Sequence, residues 1–340
     1  MPPRAGTMVR VARRRSAAAA GVLLGTALGV AAASPGCKPS GASEGPGAVT
    51  GELILGGRPI SRAQLRHGAE VYTHYCRPCH GAAGDGHGTA APGMQPPPRD
   101  LRRGIYKFAA VAAGQLPNDA DFVRIIKGGL HGTAMLAWDV PTAELDDLIQ
   151  YTKAFAARWQ SERSGEAIPI APDPWSADDA GGAARGRRVY HGLAQCAVAC
   201  HPAYALRSEI QAATKELSHI ELTSFRGDLY APVAKDSDFG FKILPPDFTF
   251  TPPRAGDRLE DLYRGIAAGI GGTAMPTWKG VLPESDLWAL AHYVRSLVAL
   301  RGTRTADDLR RAWLDQPAWT PPPPPSDAGD AGTGSEAGRP

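Results

Sequence analysis

Cysteine and methionine are scarce in this chain, at five each in 340 residues, and the few present are not scattered. With Cys37 set aside, the remaining four cysteines fall into two close pairs, Cys76/Cys79 and Cys196/Cys200. Bridges across two or three intervening residues close tiny loops and constrain little of the unfolded chain. A disulfide framework therefore fits poorly, although it is the default for cysteines in an oxidising compartment. Excess charge is lacking as well. The formal net charge is +3, but Arg4, Arg10, Arg13, Arg14 and Arg15 all precede Cys37, and the remainder sets 32 basic residues against 34 acidic ones. A nearly neutral chain gives no case for nucleic-acid binding. No stretch supports a sheet. Glycine, at 40, and proline, at 31, are abundant instead, so much of the chain is expected to be loop, linker or tail.

Residues 1–37 read as an export signal: a basic region through Arg15, then "SAAAAGVLLGTALGVAAA", then small residues. The run 16–33 is almost long enough to span a bilayer, but its Ala and Gly content is weak for a permanent anchor. "SPGC" at 34–37 resembles a bacterial lipoprotein signal, which implies lipidation of Cys37. Simple cleavage and an uncleaved anchor are the alternatives. Each of the three places the rest of the chain outside the cytoplasm, and the expectation is a periplasmic protein held at the membrane by a lipid on Cys37.

A tether of small and polar residues follows at 38–52, then a folded region at 53–161 and a linker rich in Pro, Asp and Gly at 162–182. A second folded region at 183–301 and a Pro-rich tail at 302–340, expected to be disordered, complete the chain. The two folded regions repeat one another. "RIIKGGLHGTAMLAW" (124–138) aligns without gaps with "RGIAAGIGGTAMPTW" (264–278). "PTAELDDLIQYTKAF" (141–155) matches "PESDLWALAHYVRSL" (283–297), and "GAEVYTHYC" answers "GRRVYHGLAQC". Helical spacing of Leu65, Ala69, Tyr72 and Tyr75, of Leu145, Leu148, Tyr151 and Phe155, and of Leu287, Leu290, Val294 and Leu297 predicts an all-α fold. Each unit begins with a helix ending at a cysteine pair and closes with a longer amphipathic helix.

"YCRPCHG" (75–81) is a c-type haem attachment signature. Cys76 and Cys79 can form thioethers with the two vinyl groups of one haem, and His80 then points at the iron. A thioredoxin-like pair would start a helix after a strand, and zinc would need further ligands that this unit lacks. "CAVACH" (196–201) has one residue too many between Cys196 and Cys200, with His201 directly following. Two thioethers, one thioether through Cys200, and a disulfide without haem are the readings open there. Methionine supplies the sixth ligand: Met135 and Met275 occupy equivalent places in the repeat, 55 residues after His80 and 74 after His201. Met94 has no counterpart and reads as packing. His131 competes with Met135 for the first iron, but its aligned position is Gly271. His74, His87 and His191 read as surface or haem-edge histidines.

Over about 220 residues both regions resemble class I cytochrome c domains. The resemblance implies two tandem domains, each with one covalently bound haem between a His and a Met. It also implies that Gly68 and Tyr72 pack on Tyr151, and Gly186 and Tyr190 on Tyr293. "QPPPRDLRRGIYKF" resembles the loop that covers the haem in many bacterial members. Two closed irons favour an electron carrier between components of a respiratory chain over an enzyme. A dihaem peroxidase, or a haem subunit of an oxidase or molybdenum-type reductase, is the alternative. The segment 203–245, absent from the first unit, is expected to wrap the second haem.

Overall fold

The computed structural model describes residues 52–321, so Cys37 and its expected lipidation lie outside the described residues. Helices dominate, as expected. α1 (Arg62–Tyr75) begins at a capping box: Ser61 Oγ accepts the Gln64 N–H at 3.2 Å while Gln64 Oε1 accepts the Ser61 N–H at 3.3 Å. Leu65, Gly68, Val71 and Tyr72 form its buried face. That face crosses α4 (Thr142–Ala154), whose Leu145, Leu148 and Tyr151 point inward. A Cβ at Gly68 would lie 2.1 Å from the Asp147 carbonyl oxygen, so the crossing needs a glycine. The Tyr72 and Tyr151 rings meet at 5.3 Å, a pair worth about 1 kcal/mol beyond the area it buries.

The second half repeats this crossing. α6 (Asp179–Arg188) meets α10 (Glu284–Ala299) at Gly186, where a Cβ would stand 1.9 Å from the Ala289 carbonyl oxygen. Tyr190 and Tyr293 lie 5.6 Å apart. Both glycine–tyrosine sets therefore meet the tyrosine of the closing helix, as the resemblance implied. α2 (Arg77–His80), α3 (Asp119–Gly128) and α5 (Arg158–Ser161) complete the first half. α7 (Cys196–Ala199), α8 (Arg207–Ser218), α9 (Leu259–Ala268) and α11 (Arg304–Leu314) belong to the second. One core gathers Leu65, Phe122, Ile149 and Trp159, with Val71, Tyr72, Leu148 and Tyr151 beside it. The other gathers Tyr190, Tyr204, Tyr263, Trp288, Tyr293 and Trp313.

Three features differ from expectation. A two-stranded antiparallel hairpin, β1 (Leu53–Leu55) and β2 (Arg58–Ile60), precedes α1. Gly56 and Gly57, at φ +62° and +82°, make the tight turn, and Leu55 and Ile60 are buried beside Trp159. The expected tail starts too early: α11 lies inside it, capped by Thr303, and buries Trp313 between Tyr204 and Tyr230. The segment 203–245 does not serve the second half alone. Its Phe239 and Phe241 reach the first half, where Phe239 lies over Arg99 and Phe241 lines a cavity.

The two halves dock through the turns that carry Met135 and Met275. The His131 N–H donates to the Arg254 carbonyl at 2.8 Å, and the aligned Gly271 N–H donates to the Lys107 carbonyl at 3.2 Å. A Cβ at Gly271 would lie 2.1 Å from the Tyr106 carbonyl oxygen, which is why the repeat departs from histidine there.

Candidate haem sites

The first cysteine pair sits where α1 ends and α2 begins. The His80 N–H donates to the Cys76 carbonyl at 2.9 Å, an ordinary helical turn that sets the histidine one turn after the first cysteine. His80 Nδ1 lies 3.0 Å from the Arg99 carbonyl, which fixes that nitrogen as the donor and leaves Nε2 as the lone pair. Tyr72 Oη donates to the Gly81 carbonyl at 2.9 Å and pins the residue after the histidine. Burial pushes the His80 imidazole below its ordinary value, so it stays neutral, the form that ligates a metal. Burial likewise pushes the Cys76 thiol up to about 12.

Met135 is delivered by a tight turn after α3. Gly129, at φ +66°, reverses the chain against the backbone of residues 135–137. The Leu130 N–H then bonds the Met135 carbonyl at 2.8 Å, and Thr133 Oγ1 accepts the Met135 N–H at 3.1 Å. Cys76, Cys79, His80 and Met135 all line one largely apolar cavity of about 220 Å³. Met94 lines it too, as do Pro96–Pro98 and Tyr106 of the loop expected to cover the haem. Thiols, a neutral imidazole and a thioether around one apolar cavity are a donor set that fits a covalently held haem.

The second set copies this bonding with one adjustment. The His201 N–H donates to the Cys196 carbonyl at 3.0 Å, so the turn closes over five residues instead of four and takes in the extra residue. Gln195 enters that turn in the left-handed conformation, at φ +51°. Tyr190 Oη donates to the Pro202 carbonyl at 2.9 Å, matching Tyr72, and His201 Nδ1 lies 3.4 Å from the Pro246 carbonyl. The His201 ring stacks on Phe248 at 5.3 Å, and burial pushes its imidazole down to about 4. The Cys196 thiol is pushed up to about 12 by the same cause. The Met275 turn after α9 repeats that of Met135: the Ile270 N–H bonds the Met275 carbonyl at 3.1 Å, and Thr273 Oγ1 accepts the Met275 N–H at 3.1 Å. Among the described residues the four cysteines are not bridged to one another, Cys196 and Cys200 included.

Sequence reasoning missed Arg226. Its guanidinium donates to the carbonyls of Ala197 (3.0 Å), His201 (2.7 Å), Leu229 (3.2 Å) and Ala231 (2.9 Å), tying the widened turn to the inserted segment. An arginine in an insertion carries no local signal of such a task. Of the remaining histidines, His74, His87 and His131 are exposed. His191 is not at the surface but a core residue, 2% exposed, bonded to the Arg187 carbonyl and the Tyr204 N–H.

Residues 63–151 match the family described as cytochrome c oxidase, cbb3-type, subunit III. No curated protein matches the chain. Among solved structures, a chain of the Kuenenia stuttgartiensis reducing HAO-like protein complex Kustc0457/Kustc0458 is similar at 28% identity and a TM-score of 0.55, over 68% of this chain and 96% of that one. The family match and the structural likeness support a c-type cytochrome, an electron-transfer haem protein whose family implies covalently bound haem.

Proposed function

We propose that the chain is a dihaem cytochrome c of two tandem class I domains, carrying electrons between respiratory components at the periplasmic face of the membrane. The observation that carries this reading is the repeated bonding of two sets: histidine N–H to first-cysteine carbonyl, tyrosine hydroxyl to the carbonyl after the histidine, and threonine hydroxyl to the methionine N–H. Cys76 and Cys79, and Cys196 and Cys200, would hold the two haems; His80 with Met135, and His201 with Met275, would hold their irons. A bound haem supplies one-electron chemistry, and methionine ligation raises its potential. The protein's part is orientation. The Arg99 and Pro246 carbonyls fix the imidazole tautomers, and the threonine-capped turns present the thioethers. A methionine on each iron leaves no position for substrate, which favours transfer over turnover. Likeness to a chain of a protein complex supports redox partner proteins, and the "SPGC" segment supports a lipid anchor at Cys37.

Haem quantification after denaturation should approach two per polypeptide. Ferric haem with a thioether ligand absorbs weakly in the near-red, and Met135→Ala and Met275→Ala should each remove about half of that band. One haem per chain, with Cys196 and Cys200 recovered unmodified, would remove the second site. Rapid peroxide consumption by the half-reduced wild type would replace the carrier with a peroxidase.

A further inference from the structure

Three basic side chains converge on the first cavity: Arg99 and Lys107 from the covering loop, and Arg254 from the other half. Among the described residues none of the three has a carboxylate within ion-pair distance. Arg99 and Lys107 both face the Phe239 ring, at 3.6 Å and 4.9 Å from its centre, so one ring from the second half holds two cations of the first. Their backbones are fixed across the same interface. The Lys107 carbonyl accepts the Gly271 N–H, and the Arg254 carbonyl accepts the His131 N–H. Burial, followed by the neighbouring guanidinium charges, pushes Lys107 down to about 8, and burial lowers Arg254 as well. Three half-buried like charges beside an apolar cavity call for an anion to complete them.

We propose that the second half completes the first haem site, with Arg254 joining Arg99 and Lys107 to bind the two carboxylates at the edge of the porphyrin in the first cavity. The proposal rests on the reading of that cavity as a haem site. A thioether and an imidazole close the iron but leave two negative charges at the rim, and the cluster supplies the opposite charge there. Phe241 lines the cavity and Phe239 backs two of its cations, so the inserted segment helps to close its neighbour's cavity. Cations near the haem favour the reduced form, which carries one positive charge fewer, so Arg254 sets the first potential upward from across the interface.

The test uses the full haem-loaded chain, with haem content and a two-component redox titration as readouts. Arg254→Gln should keep the near-red thioether band and lower one reduction equilibrium constant on the order of tenfold, about 59 mV for one electron. The component that moves should be the one that Met135→Ala also lowers. Arg254→Lys should restore most of the shift. Loss of the first haem from Arg254→Gln but not from Arg254→Lys supports the proposal equally. Full haem content with both potentials unchanged would overturn it and leave the haem reading standing, as would Arg254→Lys behaving like Arg254→Gln. Absence of covalent haem from the wild type would instead remove the haem reading itself.

Discussion

Lowering the pH should destabilise this protein through a histidine that touches neither candidate iron. His191 sits where α6 loosens into a wider turn at Val189–Leu193, packed against the Tyr190 and Tyr293 rings. Its Nδ1–H donates to the Arg187 carbonyl at 2.8 Å, and its Nε2 accepts the Tyr204 N–H at 3.1 Å. A proton on Nε2 would remove the only acceptor in that pair and place a charge among buried rings. Burial accordingly pushes His191 down to about 4, against the smaller opposing pull of the Arg187 carbonyl. Between pH about 6.5 and about 4 the unfolded chain takes up a proton that the folded chain refuses. Stability present above pH 6.5 is therefore lost as the pH falls toward 4, by about 3 kcal/mol for a shift of this size. Denaturant unfolding from pH 7 to pH 4 at fixed ionic strength would measure it, comparing wild type with His191→Gln, which offers an amide donor and acceptor but no titrating proton. Other groups, the His80 and His201 imidazoles included, shape both profiles alike, so the gap between them isolates His191. That gap should narrow by about 3 kcal/mol on acidification. Parallel profiles over the whole range would refute the reasoning.

Gly186→Ala puts a methyl where Ala289 already has its carbonyl, so α6 and α10 must separate; a loss of about 2–3 kcal/mol is expected by thermal unfolding, despite the better helix propensity of alanine. Arg226→Met strands the carbonyls of Ala197, His201 and Ala231 around the widened Cys196 turn, while that of Leu229 keeps the Ala203 N–H, and should cost about 2–4 kcal/mol. Its haem content should fall from about two toward one while the Met135 near-red signal stays.

The elements that carry the two sets were legible because they are periodic and repeated. Leu65, Gly68 and Tyr72 fall on one helical face, and the Gly-Thr-Ala-Met runs announce themselves in register. The hairpin escaped because each strand is three residues long, although the Gly56-Gly57 pair between Leu55 and Arg58 was a signal for it. α11 was absorbed into the proline-rich tail that follows it, yet Thr303 before a run ending in Trp313 carried both a cap and a buried anchor. What had no local signature is what docking creates: Arg226 reaching the Cys196 turn, Arg254 and Phe241 reaching the first cavity, and Phe239 reaching Arg99. Such roles depend on contacts 25 or more residues distant, to which sequence spacing is blind.

The Gly271 contact limits how far the repeat can be exchanged. At the level of sequence the two units look interchangeable, and two copies of the first unit in tandem would carry a histidine at position 271. Its Cβ would begin 2.1 Å from the Tyr106 carbonyl oxygen, before the ring is even placed. The reverse chimera, two copies of the second unit, would lose the Tyr106–Lys107 loop on which the Gly271 turn rests. The copies have thus become lock and key to one another. A unit moved out of its place in the order would keep its cysteines, histidine and methionine and forfeit the surface that seats its partner.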